Sequence, residues 1–150
     1  MNKTKITFVS LFTIALMAFV FQSFTNQQGD EPWTENQLMP PSDLAKIINE
    51  GNNPSTFIYS VGPSGLIKNA VYIGEGRDKK NINKLKKEVG QLPKDANIVI
   101  YCGCCPFGDC PNIRPAFTLL SEMKFTNHKL LNLPKNLKVD WIDKGYPMSE

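Results

Sequence analysis

The segment from Asn97 to Cys102 (NIVIYC) is a near-continuous apolar run, and it constrains the fold more than any other stretch of the chain. Such a run is typical of a strand that is buried on both faces of a parallel sheet. Strand and helix patterns alternate around it, which predicts an α/β domain with a mostly parallel sheet. Ligands bind such sheets beyond the carboxyl ends of the strands, so we expect the chemistry in the loop after Cys102.

Further strands and helices are predicted from turn residues and from apolar spacing. Residues 56–61 are rich in β-formers between proline and glycine, and shorter strands are expected at 71–73 and 129–133. Helices are predicted from an N-cap at Ser42 to Gly51, over 82–92, from an N-cap at Asn112 to Met123, and over 139–144.

The N-terminus has the pattern of an export signal. Lys3 and Lys5 precede an apolar run from Ile6 to Phe21, which is slightly shorter than the roughly 20 residues of a membrane-spanning helix. We therefore predict a signal peptide at 1–25, a polar linker at 26–37 and a single domain at 38–150. This places the domain in the periplasm or outside the cell, with membrane contact only through the signal segment, cleaved or retained as an anchor.

Charge and composition exclude several classes of function. The formal net charge is +3, and two of the lysines lie in the predicted signal, so the remaining domain is nearly neutral. Without a basic stripe and interleaved aromatics, nucleic acid is not an expected partner. No pair of carboxylates is spaced for acid–base catalysis, and the single histidine, His128, is expected to be an exposed loop residue. Nothing indicates oligomerisation, so we expect a monomer.

All four cysteines lie in one loop, between Cys102 and Cys110. This loop precedes Arg114 and the N-terminus of a predicted helix, where unpaired N–H groups carry a partial positive charge. Both features favour thiolate over thiol, although Asp109 opposes them. A cysteine of this loop is therefore expected to have a lowered pKa and to be nucleophilic.

Two motifs resemble those of rhodanese-like domains, the sulfurtransferase family. A strand ends in Tyr-Cys (Ile98 to Cys102) before a loop, an arginine and a helix, and Trp141 to Pro147 matches the pattern Trp-x-x-x-Gly-Tyr/Phe-Pro. The segment 67–73 is also similar to the family's stretch before its second strand. The resemblance covers roughly residues 38–148 and implies a central parallel sheet of about five strands flanked by helices.

The resemblance also implies a function. In this family a cysteine accepts a sulfane sulfur from a small donor as a persulfide and passes it to a thiol acceptor, without a cofactor. Cys102 matches the sulfur acceptor by its position after the strand, and Arg114 matches the arginine. Donors that hold the sulfur anion are expected from the loop, as in an oxyanion hole. The predicted substrate-binding residues of the loop are Gly103, Cys104, Cys105 and Gly108.

The loop departs from the family pattern in ways that keep alternatives open. In the family the arginine follows the cysteine more closely, and Arg114 lies twelve residues after Cys102 but only four after Cys110. Cys110 is therefore a rival nucleophile. Pro106 and Pro111 each remove one amide donor from the loop. Ser60-Val61-Gly62 also replaces the family's usual Asp-x-Arg.

The extra cysteines allow other chemistries beside sulfur transfer. Cys104, Cys105 or Cys110 could resolve a persulfide on Cys102 as a disulfide. The C-x-x-C from Cys102 to Cys105 is also typical of thiol–disulfide redox proteins. Four thiolates could bind soft Cu(I) or Zn in a non-catalytic metal- or partner-binding module, or disulfides could simply brace the loop in an oxidising compartment. Sulfur transfer is the function that we favour, and no resident metal is predicted.

Overall fold

Five parallel strands form one sheet in the computed structural model, which describes residues 31–51 and 56–150. The strands are β1 (Leu38–Met39), β2 (Thr56–Ser60), β3 (Ala70–Tyr72), β4 (Asn97–Tyr101) and β5 (His128–Leu131). Their order across the sheet is β1-β5-β4-β2-β3, and each neighbouring pair is parallel. The predicted α/β class with a five-stranded parallel sheet is thus confirmed, and the arrangement is consistent with a rhodanese-like α/β fold.

Four helices cover the two faces of the sheet. They are α1 (Pro41–Glu50), α2 (Lys79–Val89), α3 (Ile113–Glu122) and α4 (Leu137–Asp140). Helices α2 and α3 pack on one face, whereas α1 and α4 pack on the other. Short 3₁₀ turns lie at Glu35–Gln37, Phe107–Asp109 and Ile142–Lys144.

Strand β4 is the centre of both cores, as its apolar sequence predicts. Ile98 and Ile100 pack beneath α2 and α3, whereas Val99 and Tyr101 pack beneath α1 and α4. All four side chains are almost completely buried, and each of the three aliphatic ones contributes roughly 1.5–3 kcal/mol of hydrophobic stabilisation. The end of β4 therefore places Cys102 in the middle of the carboxyl edge of the sheet, supported on both sides.

The first strand and the first helix differ from the sequence predictions. Strand β1 has only two residues, too few for a recognisable pattern, and it forms only by pairing with β5. Helix α1 begins at Pro41 rather than after Ser42, with Pro40 as its N-cap residue. Proline suits the first helical turn because its missing N–H would have no partner within the helix there.

The compact unit begins at Glu31, within the segment predicted to be a linker. Trp33 is buried, and its ring makes edge contacts with Phe107 and Phe117 at centroid distances of 6.0 and 5.7 Å. The predicted signal peptide and the first residues of the linker lie outside the described residues. Among the residues that are described, no helix has both the length and the apolar character that crossing a bilayer requires.

His128 is buried, so the prediction that it is exposed is wrong. It is the first residue of β5, and its ring lies 4.5 Å from that of Phe117. Its Nδ1 lies 3.0 Å from the Phe125 carbonyl oxygen, and Nε2 lies 3.1 Å from Ser121 Oγ. Burial lowers the pKa of His128. Because it starts β5, it lies at the edge of the sheet opposite the cysteines and is part of the core.

Candidate functional site

The loop that contains the cysteines is anchored by Tyr101, the last residue of β4. The buried Tyr101 hydroxyl accepts a hydrogen bond from Ile67 N–H (2.9 Å) and donates one to the Gly65 carbonyl (3.2 Å). The backbone carbonyl of Tyr101 accepts a hydrogen bond from Val61 N–H at 2.8 Å. The segment that follows β2 is thereby held directly beside Cys102.

Two glycines allow the chain to pack closely around Cys102. A Cβ atom at Gly62 would overlap Cys102 Sγ, so the sulfur occupies the space where another residue would carry its side chain. Gly103 has a φ of 78°, and a Cβ there would lie 2.7 Å from both Ser64 Oγ and Leu137 Cβ. The Ser64 hydroxyl donates to the Cys102 carbonyl, and Leu137 N–H donates to the Gly103 carbonyl. The turn after Cys102 is therefore fixed from both sides.

The C-terminal motif that resembles the rhodanese signature is structural. Trp141 is completely buried, and its Nε1–H donates to the Pro147 carbonyl at 3.1 Å. Its ring makes an edge contact with Tyr146 at 5.1 Å. Trp141 is therefore part of the hydrophobic core.

The fold brings the four cysteine sulfurs together as free thiols. Cys102 Sγ lies 3.1 Å from Cys104 Sγ, which lies 3.3 Å from Cys105 Sγ. The sulfurs of Cys102, Cys104 and Cys110 all lie within 4.8 Å of one another. Cys102 and Cys110 are buried, Cys105 is half-buried and Cys104 is exposed, so Cys104 links the buried sulfurs to solvent.

The surroundings of Cys102 stabilise a thiolate. A hydrogen bond from the Cys110 thiol is the largest of the effects that lower the pKa of Cys102 to about 5. The N–H and thiol of Cys104 and the amide of Asn112 add to this effect, while burial opposes it. Cys102 is therefore ionised at neutral pH, as the sequence predicts for a cysteine of this loop.

Cys110 and Cys104 are neutral thiols beside this anion. The hydrogen bond to Cys102, followed by burial, raises the pKa of Cys110 well above its usual range. Partial burial of the sulfur, followed by the hydrogen bond to Cys102, raises the pKa of Cys104 to about 12. Each keeps its proton and donates it toward Cys102, which favours Cys102 over Cys110 as the nucleophile.

Asn112 is a site residue that the sequence did not reveal. It occupies the predicted N-cap position of α3, but its side chain makes no capping hydrogen bond. Instead, Oδ1 accepts from Arg77 N–H at 3.1 Å, which turns Nδ2 toward Cys102 Sγ at 3.5 Å. The only sequence signal was its position after a cysteine-rich loop, where an asparagine is equally suited to capping.

Arg114 contacts both the start of the described domain and the cysteine loop. Its Nη2 donates to Glu31 Oε1 at 2.7 Å and to the Gly108 carbonyl at 3.0 Å, and its guanidinium lies 5.5 Å from the centre of the Trp33 ring. The contact of Gly108, predicted as a substrate-binding residue, is thus a hydrogen bond from Arg114 to its carbonyl oxygen. These contacts brace the turn that leads to Cys110, while Cys110, Cys104 and Asn112 stabilise the Cys102 thiolate.

The ionisation of Cys102 gives a prediction that is independent of substrate. Titration of the reduced full chain, followed by the ultraviolet absorbance of thiolate, is expected to show one thiolate that forms with a midpoint near pH 5. The Cys102→Ser variant should lack this step. A first thiolate that forms only near the ordinary pKa of 9.0 would contradict the described contacts.

The same pKa shift sets the sign of a stability effect. The folded state keeps Cys102 ionised at pH values where the unfolded chain binds a proton. The resulting stabilisation is complete above pH 9.0 and is lost as the pH falls toward about 5. In chemical denaturation, the wild type should therefore be more stable than Cys102→Ser at pH 9.0, and this difference should shrink as the pH is lowered toward about 5.

No protein-family model matches this chain, and neither does any curated protein.

Proposed function

We propose that this protein is a rhodanese-like sulfurtransferase that carries sulfur as a persulfide on Cys102. One observation carries the proposal: the Cys102 sulfur receives hydrogen bonds from the Cys110 thiol, the Cys104 N–H and the Asn112 amide. Several donors aimed at one sulfur stabilise a thiolate, and a persulfide anion needs the same kind of environment. The resemblance of Ile98 to Cys102 and of Trp141 to Pro147 to the family motifs supports the assignment.

The reaction consists of two exchanges at sulfur. The Cys102 thiolate attacks the outer sulfur of a persulfide donor, forming a new S–S bond while the donor's S–S bond breaks and its thiolate leaves. An acceptor thiolate then attacks the outer sulfur on Cys102 and restores the Cys102 thiolate. Neither exchange needs an external oxidant or reductant, because the sulfane sulfur keeps its oxidation state throughout.

The burial of Cys102 restricts the substrates. Cys102 is fully buried, whereas its neighbour Cys104 is exposed. A donor must therefore deliver its sulfur past Cys104 and through the loop 103–105. Small persulfides and thiosulfate fit this requirement better than a folded protein donor, since only a narrow group can enter.

Cys104 offers a second fate for the persulfide. Its sulfur lies 3.1 Å from Cys102 Sγ, so it can attack the inner sulfur of the persulfide. The Cys104 proton passes to the outer sulfur, the product is a Cys102–Cys104 disulfide, and hydrosulfide leaves with the electron pair of the broken bond. Cys104 thus removes the outer sulfur from Cys102 when no acceptor thiol is present.

The test is intact-mass spectrometry of the reduced full chain after exposure to a small persulfide donor. The wild type is expected to gain about 32 Da on Cys102 and then to lose about 2 Da relative to the reduced chain as the disulfide forms. In Cys104→Ser the adduct should persist at least about 10-fold longer, because its resolving thiol is absent. An adduct that never forms, or that maps to Cys105 alone, would overturn the proposal.

A thiol–disulfide redox protein is the second candidate, favoured by the short distance between the Cys102 and Cys104 sulfurs. The lowered pKa of Cys102 would make it a good leaving group in exchange with a partner disulfide. The Cys104→Ser variant separates the two functions. Sulfur loading needs only Cys102, whereas a catalytic disulfide needs both residues.

A further inference from the structure

Three of the cysteine sulfurs are arranged as a ligand set. The sulfurs of Cys102, Cys104 and Cys110 all lie within 4.8 Å of one another. Three thiolates around one ion at a metal–sulfur distance of about 2.3 Å stand about 4 Å apart. The thiols can therefore close around a single ion with small movements of their side chains.

Backbone and side-chain donors surround this set of sulfurs. The Cys104 N–H and Asn112 Nδ2 donate to Cys102, and the Asn112 N–H donates to Cys110. Hydrogen bonds of this kind orient thiolate ligands and offset their charge in metal sites. Asn112 is itself fixed by Arg77 N–H, so these donors are already in place without an ion.

We propose that Cys102, Cys104 and Cys110 form a three-coordinate binding site for Cu(I). Soft thiolate ligands select soft cations, of which Cu(I) is satisfied by three sulfurs. Cys104 and Cys110 each release a proton to solvent when they bind, Cys102 is already a thiolate, and the copper remains Cu(I) throughout. The exposed Cys104 provides the entry side, while the buried Cys102 and Cys110 keep water away from the ion.

The arrangement suits Cu(I) better than zinc. Structural zinc sites almost always have four ligands in a tetrahedron. Cys105 is the remaining thiol, but it follows Cys104 directly in the chain and is not part of the mutually close set. Adjacent residues have difficulty in directing both sulfurs at one ion, which leaves a set of three.

Copper binding goes beyond the proposed sulfur transfer and does not depend on it. Both would use the Cys102 sulfur, so a bound copper ion should block sulfur loading. Sulfur loading is measured by mass without copper, and copper binding is measured without a sulfur donor. Either proposal can therefore fail while the other stands.

The experiment is an anaerobic titration of the reduced full chain with Cu(I) in competition with a chromogenic Cu(I) chelator. The wild type is expected to bind one Cu(I) per chain, with three sulfurs near about 2.3 Å in X-ray absorption. Removal of a residue that hydrogen-bonds to a metal ligand usually costs roughly 10–100-fold in affinity. Cys104→Ser and Cys110→Ser each remove a ligand itself, so the Cu(I) affinity should fall by more than this. Cys105→Ser is the matched control and should bind copper far better than either ligand variant, because the serine hydroxyl can still hydrogen-bond to Cys104.

Several outcomes would overturn the site. The chelator could remove all copper from the wild type, or Cys105→Ser could weaken binding as much as Cys110→Ser does. Binding of several copper ions, or displacement of Cu(I) by equimolar zinc, would also contradict it. Because Cys104 is exposed, Cys104→Ser provides a test even where replacement of the buried Cys110 prevents folding.

Discussion

Cys102→Ser is expected to abolish sulfur loading of the full chain completely. Serine keeps the size of the side chain but replaces the thiolate, whose pKa is lowered to about 5, with a hydroxyl that remains protonated. The thiolate is the attacking species in sulfur exchange, so no persulfide can form at this position. Intact mass after exposure to a small persulfide should show no adduct at any time, where the wild type shows a transient one.

Cys110→Ser is the informative comparison for this result. A serine hydroxyl can still donate a hydrogen bond to Cys102, so sulfur loading should persist, with a higher thiolate midpoint than in the wild type. If sulfur loading were lost in Cys110→Ser and retained in Cys102→Ser, Cys110 would be the nucleophile. The assignment of Cys102 would then be wrong.

Gly62→Ala is expected to disrupt the site from the neighbouring loop. An alanine Cβ would occupy the position of Cys102 Sγ and would also press on the Cys102 backbone, at 3.0 Å from its carbonyl oxygen. Overpacking of this kind costs roughly 1–3 kcal/mol of stability. The displaced sulfur would lose its hydrogen bonds to Cys110 and Asn112, so the thiolate midpoint should rise toward 9.0 and sulfur loading should fall sharply.

Gly108→Ala is the matched control within the cysteine loop. A Cβ at Gly108 meets no atom within 4 Å, so the free energy of unfolding should change by no more than about 0.5 kcal/mol. Chemical denaturation and thiolate titration of both variants make the comparison. Equal behaviour of the two variants would show that the close approach of Gly62 to Cys102 is unimportant.

The main helices and strands of the fold were predictable because their apolar side chains recur at the spacing that each type of element requires. Strand β4 is apolar at every position that is buried, and α2 places Leu85 and Val89 on the same face. Strand β1 was missed because its two residues carry no period. The prediction for His128 is wrong because its neighbours Asn127 and Lys129 are polar, which indicates a loop, while its own side chain packs against Phe117.

The candidate site was predictable in location but not in its contacts. The position of Cys102 after a buried strand follows from the rule that parallel sheets bind ligands at their carboxyl edge. The hydrogen-bond donors to the Cys102 sulfur do not follow from the sequence. The separation of two residues along a loop does not tell how far apart they lie in space. Asn112 and Gly62 illustrate this, since the sequence indicates only a helix cap for Asn112 and only a departure from the family motif for Gly62.

The sequence by itself determined the alternating architecture and the concentration of every cysteine in one loop, since both are local properties of hydrophobic period and composition. Only the tertiary structure decided which sulfur is the anion. The pKa of a thiol depends on donors and burial that are set by folding, and here Cys110, Cys104 and Asn112 converge on Cys102 while Arg114 pairs with Glu31.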